Sequence, residues 1–132
     1  MRFKKFNNNP TGRKKGDCVV RALSIALDKG WLEIYDDLTK LGRELKTMPN
    51  NKEVYEEYLK NYESKSQRVK KGEKRMTAQS FGNGTYILRQ AGHLVTIKNG
   101  ILTDTWDCRK RAVYKYWVIE KGIKTFKLSQ SK

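Results

Sequence analysis

The dipeptide Asn99-Gly100 constrains this chain most. It lies between HLVTIK and ILTDTW, two short segments of alternating apolar and polar residues. Asn-Gly between such runs is a strong hairpin signal, because a two-residue turn needs positive φ at both positions. If Lys98 pairs with Ile101, then Val95 falls opposite Asp104 and His93 opposite Trp106. Side chains alternate along a strand, so His93, Val95, Asp104 and Trp106 share one face.

The segments before and after the hairpin differ in period. Upstream of residue 63 the pattern is helical. Val19, Ala22, Leu23, Ala26 and Leu27 recur at helical spacing, with Asp17 as the expected N-cap and Gly30 as the stop. Further helices are expected over 31–46 and 51–62. From residue 84 the pattern is that of strands, over Tyr86–Leu88, the hairpin, 112–120 and an edge strand at Thr125–Leu128. A short turn is expected from Thr77 to Phe81. Residues 1–16 and 63–75 are polar and basic, and both read as exposed loops. Helices first and strands afterwards define an α+β domain, with N-terminal helices packed on a C-terminal antiparallel sheet. At 132 residues the expectation is a single domain spanning 1–132.

Lys and Arg outnumber Asp and Glu by 29 to 14, a formal net charge of +15. Such an excess attracts polyanions. The basic runs are MRFKKF, GRKKG, RVKKGEKR and RKRAVYKYW, and the aromatics of the first and last could stack on bases, so a nucleic-acid binder is one reading of the chain. Two cysteines, Cys18 and Cys108, do not make a disulfide framework. With a single histidine they match no zinc-finger spacing, so neither metal nor cofactor is expected. No apolar run approaches the roughly 20 residues of a membrane span, and the basic N-terminus lacks a signal-peptide core. A cytoplasmic protein with free thiols, not a membrane protein, is the expectation.

The candidate chemistry begins with Cys18. At the start of a helix its pKa falls, and an imidazole beside it would lower it further. Its backbone N–H, unpaired in the first turn, could face a developing oxyanion. His93 is the one imidazole the chain offers. Asp104, diagonal to His93 across the hairpin, is placed to orient the ring. A bulge would shift the register and favour Asp107 instead.

GDCVVRALSIA opening a helix with Cys, GHLVTI opening a strand with His, and ILTDTWD supplying an acid resemble papain-like cysteine peptidases of the small phage and bacterial kinds, including NlpC-like enzymes. GDCVVRALS is also similar to the nucleophile segment of ovarian-tumour deubiquitinases. The whole chain resembles small proteins of phages and prophages of Gram-positive bacteria. The resemblance implies a papain-like fold with Cys18 as nucleophile, His93 as base and Asp104 as orienter. It also implies a protein, peptide or isopeptide-linked substrate, here in a host cytoplasm. Papain-like enzymes place a Gln upstream of the Cys as oxyanion donor. Position 12 here is Gly, and Asn9 is the nearest amide of that kind. The alternative is a non-catalytic basic protein on the same scaffold, one that binds nucleic acid or inhibits a host protein.

Overall fold

A computed structural model describes residues 1–122. The expected strand at Thr125–Leu128 lies outside the described residues. The elements run β1 (Arg2–Lys5), α1 (Cys18–Leu27), α2 (Trp31–Leu45), α3 (Lys52–Tyr58), β2 (Glu63–Ser66), a 3₁₀ turn at Ala78–Ser80, β3 (Gly84–Gln90), β4 (His93–Lys98), β5 (Ile101–Asp104) and β6 (Lys115–Lys121). Among the described residues the architecture is α+β: three helices and a six-stranded sheet ordered β1-β5-β4-β3-β6-β2.

The hairpin forms in the expected register, with Lys98 opposite Ile101 and Thr96 opposite Thr103. Asn99 and Gly100 take φ 48° and 79°, as a tight turn of that twist requires. Both faces of the sheet are apolar. Val19, Leu23, Ile34, Leu38, Val54, Leu59, Ile87, Leu94 and Trp117 form one core, under the helices. Ala78, Phe81, Leu88, Val95, Ile97, Leu102, Cys108 and Val113 form a second. Consecutive strand residues, such as Ile87 and Leu88 or Leu94 and Val95, therefore serve different cores. A buried hydrogen bond from Thr96 Oγ1 to the Ala22 carbonyl ties β4 to α1.

Three expectations change. The stretch 1–16 is a loop only after Lys5, because Arg2–Lys5 adds to the hairpin as a parallel strand on β5. The sheet is therefore mixed, not purely antiparallel. The stretch 63–75 begins as a strand, since Glu63–Ser66 pairs with β6. Both are edge strands, and β2 is exposed along its whole length. A strand with neither face buried carries no apolar alternation to read. The third helix stops at Tyr58, short of residue 62. Leu59 closes it, a turn from the Leu59 carbonyl to the Tyr62 N–H follows, and Glu63 must then lie extended opposite Val118.

Candidate active site

The site forms where α1 begins, β4 begins and β5 ends. Cys18 is the first residue of α1. Asp17 occupies the N-cap position, but its side chain makes no cap bond. Its carboxylate is instead buried among three stronger donors: Arg21 Nε at 2.9 Å, Asn9 Nδ2 at 2.9 Å and Trp31 Nε1 at 2.8 Å. The first-turn amides thus keep no side-chain cap, and the positive end of the helix stays turned toward the cleft beside Cys18.

His93 opens β4 and Asp104 closes β5. His93 Nε2 and Asp104 Oδ2 are 2.5 Å apart, and the Asp104 side chain is only 2% exposed. That bond leaves Nδ1 as the ring nitrogen available to the thiol. Cys18, His93, Leu94, Gln90, Arg89 and Trp106 line one cleft of about 580 Å³. The Trp106 ring lies 5.0 Å from the imidazole, centroid to centroid.

Arg21 completes the arrangement. It sits one turn after Cys18 and is 8% exposed. Its Nη1 donates to Asp104 Oδ1 at 2.8 Å while its Nε holds Asp17. The Thr105 N–H also donates to Asp104 Oδ1, and the Cys108 thiol lies 3.6 Å from Oδ2. One buried guanidinium therefore links the helix that carries the thiol to the acid that holds the imidazole.

The proton balance follows from these contacts. Burial works against the charged imidazolium, but the hydrogen bond to Asp104 dominates the polar contributions and raises His93 to about 11. Burial alone would raise the Cys18 thiol. The hydrogen bond with His93, the Leu94 N–H and the charges of His93 and Arg21 outweigh it and bring the thiol below its ordinary value of 9.0. The ring therefore holds its proton more tightly than the sulfur does, so when the pair shares one proton the thiolate–imidazolium form is favoured over a neutral thiol and imidazole. Asp104 stays ionised, held below 3.8 against its burial by His93 and Arg21. Burial pushes the Cys108 thiol upward, so the two thiols differ in character.

Asp107 is not part of this group. It is exposed, and its carboxylate grips Arg109 through Nε at 2.9 Å and Nη2 at 2.7 Å, which holds it at about 2. Asn9 does not line this cleft. Its amide nitrogen serves Asp17, and its oxygen accepts from the Thr11 N–H and hydroxyl. His93, Asp104 and Cys108 bring ligand atoms within 4.8 Å of one another. A cation there would face the Arg21 guanidinium and displace the His93–Asp104 bond, so these groups are better satisfied as acid, base and thiol.

Sequence reasoning missed Arg21, Cys108 and Trp106 as members of the site. The signal for Arg21 was present: a charge flanked by Val19, Val20, Ala22 and Leu23 in a helix without a polar face must find a buried partner. Comparisons of the chain with protein-family models, with curated proteins and with solved structures find no match. Among the described residues, no helix is long and apolar enough to cross a membrane.

Proposed function

We propose that this chain is a cysteine-dependent acyl-transfer enzyme with a papain-like arrangement, acting on an amide, peptide or isopeptide bond. The observation that carries the reading is that Cys18 and His93 line one cleft while buried Asp104 holds the ring by Nε2, leaving the other ring nitrogen for the sulfur. The Cys18 thiolate attacks the carbonyl carbon of the bound substrate. The carbonyl oxygen gains negative charge, and the Cys18 N–H in the first turn of α1 is the nearest candidate donor to it. The His93 imidazolium gives its proton to the departing amine, leaving an acyl thioester on Cys18 and a neutral ring. A water then loses a proton to His93 as it attacks the thioester, and the acid product departs. Asp104 stays ionised throughout and orients the ring.

The test is the rate of Cys18 alkylation by iodoacetamide from pH 5 to 9, with Cys108 as internal control. Cys18 is expected to titrate below the roughly 8.5 of a free thiol and to react at least ten times faster than Cys108 at pH 6. His93→Ala should return Cys18 to ordinary behaviour. Equal reactivity of the two thiols, unchanged by that substitution, would sink the enzyme reading. It would leave a basic binding protein as the reading of choice.

A further inference from the structure

A second hollow adjoins the cleft. It has a volume of about 590 Å³ and shares Gly16 and Asn50 with the Cys18 cleft. Its apolar wall comes from Trp31, Leu32, Tyr35, Met48 and Pro49. Leu32, Tyr35 and Met48 are 60%, 41% and 68% exposed, and all three are gathered here. The Trp31 and Tyr35 rings stack at 5.4 Å, nearly parallel, and the Trp31 indole is fixed by Asp17. The Trp31 ring is therefore held in place within an apolar surface. Solvent-facing apolar groups of this size, placed beside a reactive thiol, suit a ligand that covers them.

The charges around the two hollows are one-sided. Lys15 lines the apolar hollow, and Lys52 and Arg89 line the cleft. Arg89 Nε is buried and has no hydrogen-bond partner. The one acidic residue lining either hollow is Asp17, and its charge is already matched by Arg21. A chain crossing both hollows meets apolar surface and positive charge. Aliphatic Leu32, Met48 and Pro49 suit an apolar side chain better than a phosphodiester, which would need cations where these residues stand.

We propose that the two hollows form one substrate groove for an acidic polypeptide. A bulky apolar residue seats against Trp31, Leu32 and Met48, and neighbouring Asp or Glu residues face Lys52 and Arg89. This rests on the acyl-transfer reading for its direction across Cys18, but the groove can be tested without turnover.

The experiment uses full-length protein carrying Cys18→Ala and fluorescein-labelled decapeptides, read by anisotropy. One peptide holds Phe between Glu residues. A second replaces the Phe by Ser, a third replaces each Glu by Lys, and a ten-nucleotide single strand serves as competitor. The Phe–Glu peptide is expected to bind at least ten-fold more tightly than either altered peptide. Leu32→Glu and Met48→Glu, both at exposed positions and checked for folding by circular dichroism, should each weaken it about ten-fold. Equal binding of the Phe and Ser peptides would overturn the proposal. So would displacement by the oligonucleotide at lower concentration than by unlabelled peptide, which would make the groove a nucleic-acid channel. Wild-type protein is then assayed for cleavage of the same peptides. Selective binding without cleavage removes the enzyme reading and keeps the groove, whereas cleavage indifferent to Phe or Ser does the reverse.

Discussion

Replacing Arg21 by Met tests whether the buried charge network or mere packing holds the site together. Met matches the Arg stem as far as Nε and lacks the three outer guanidinium atoms, so the substitution removes the charge and leaves only a small cavity. Asp17 loses a partner at 2.9 Å and Asp104 one at 2.8 Å, and both carboxylates remain almost wholly buried. Removing one partner of a buried ion pair costs about 3–5 kcal/mol. Each acid keeps other donors: Asn9 and Trp31 for Asp17, His93 and the Thr105 N–H for Asp104. The lower end, about 3 kcal/mol, is therefore expected, a fall in melting temperature of about 10–15 °C for a chain of this size. Tryptophan fluorescence during urea unfolding at pH 7 would measure it. The pH dependence has a definite sign. Both acids are held below 3.8 in the native protein, so their ion-pair stability is present above that value and lost as pH falls through the lowered pKa values. Without Arg21 those pKa values rise, and the variant's deficit should shrink as pH is lowered toward 4. A loss below about 1 kcal/mol, or a deficit of constant size from pH 7 to 4, would refute the reasoning, because a packing defect does not titrate.

Two other substitutions give sharp contrasts. Asp104→Asn should abolish the accelerated alkylation of Cys18 by removing the charge that keeps the His93 proton in place, while Asp107→Asn, at an exposed pair with Arg109, should leave the alkylation profile unchanged; equal effects from the two would reverse the choice of acid. Gly42→Ala in α2 should destabilise by about 1–3 kcal/mol in thermal unfolding, although Ala normally favours a helix, because the added Cβ would stand 2.8 Å from the Thr47 carbonyl oxygen; a stabilised variant would show that the turn at 47–49 yields easily.

The hairpin was readable because its turn chemistry is local. Asn99-Gly100 set the pairing, and the pairing put His93 and Asp104 on one face before any tertiary contact was known. The helices were readable from periodicity, since α2 alternates a buried stripe at Ile34 and Leu38 with a charged face. Both edge strands escaped notice because β2 has all four side chains exposed and β1 turns only Phe3 to the core, so their order comes mainly from backbone bonds to β6 and β5. Asp17 looked like a cap because Asp before a helix usually is one. It serves Arg21, Asn9 and Trp31 instead, and such a choice among donors depends on residues up to 14 positions away. The reach of Arg21 to Asp104 spans 83 positions, which no local rule can deliver.

The parallel pairing of β1 on β5 also bears on synthesis. Lys5 stands opposite Asp104, and the Phe6 N–H donates to the Asp104 carbonyl. Strand β1 is therefore synthesised long before its partner β5, a pairing of high sequence separation and slow closure. Until it closes, the acid has neither its flanking strand nor a settled position beside the imidazole. A growing chain thus carries Cys18 early but His93 and Asp104 late, so the grouping of thiol, imidazole and carboxylate is a property of the finished fold.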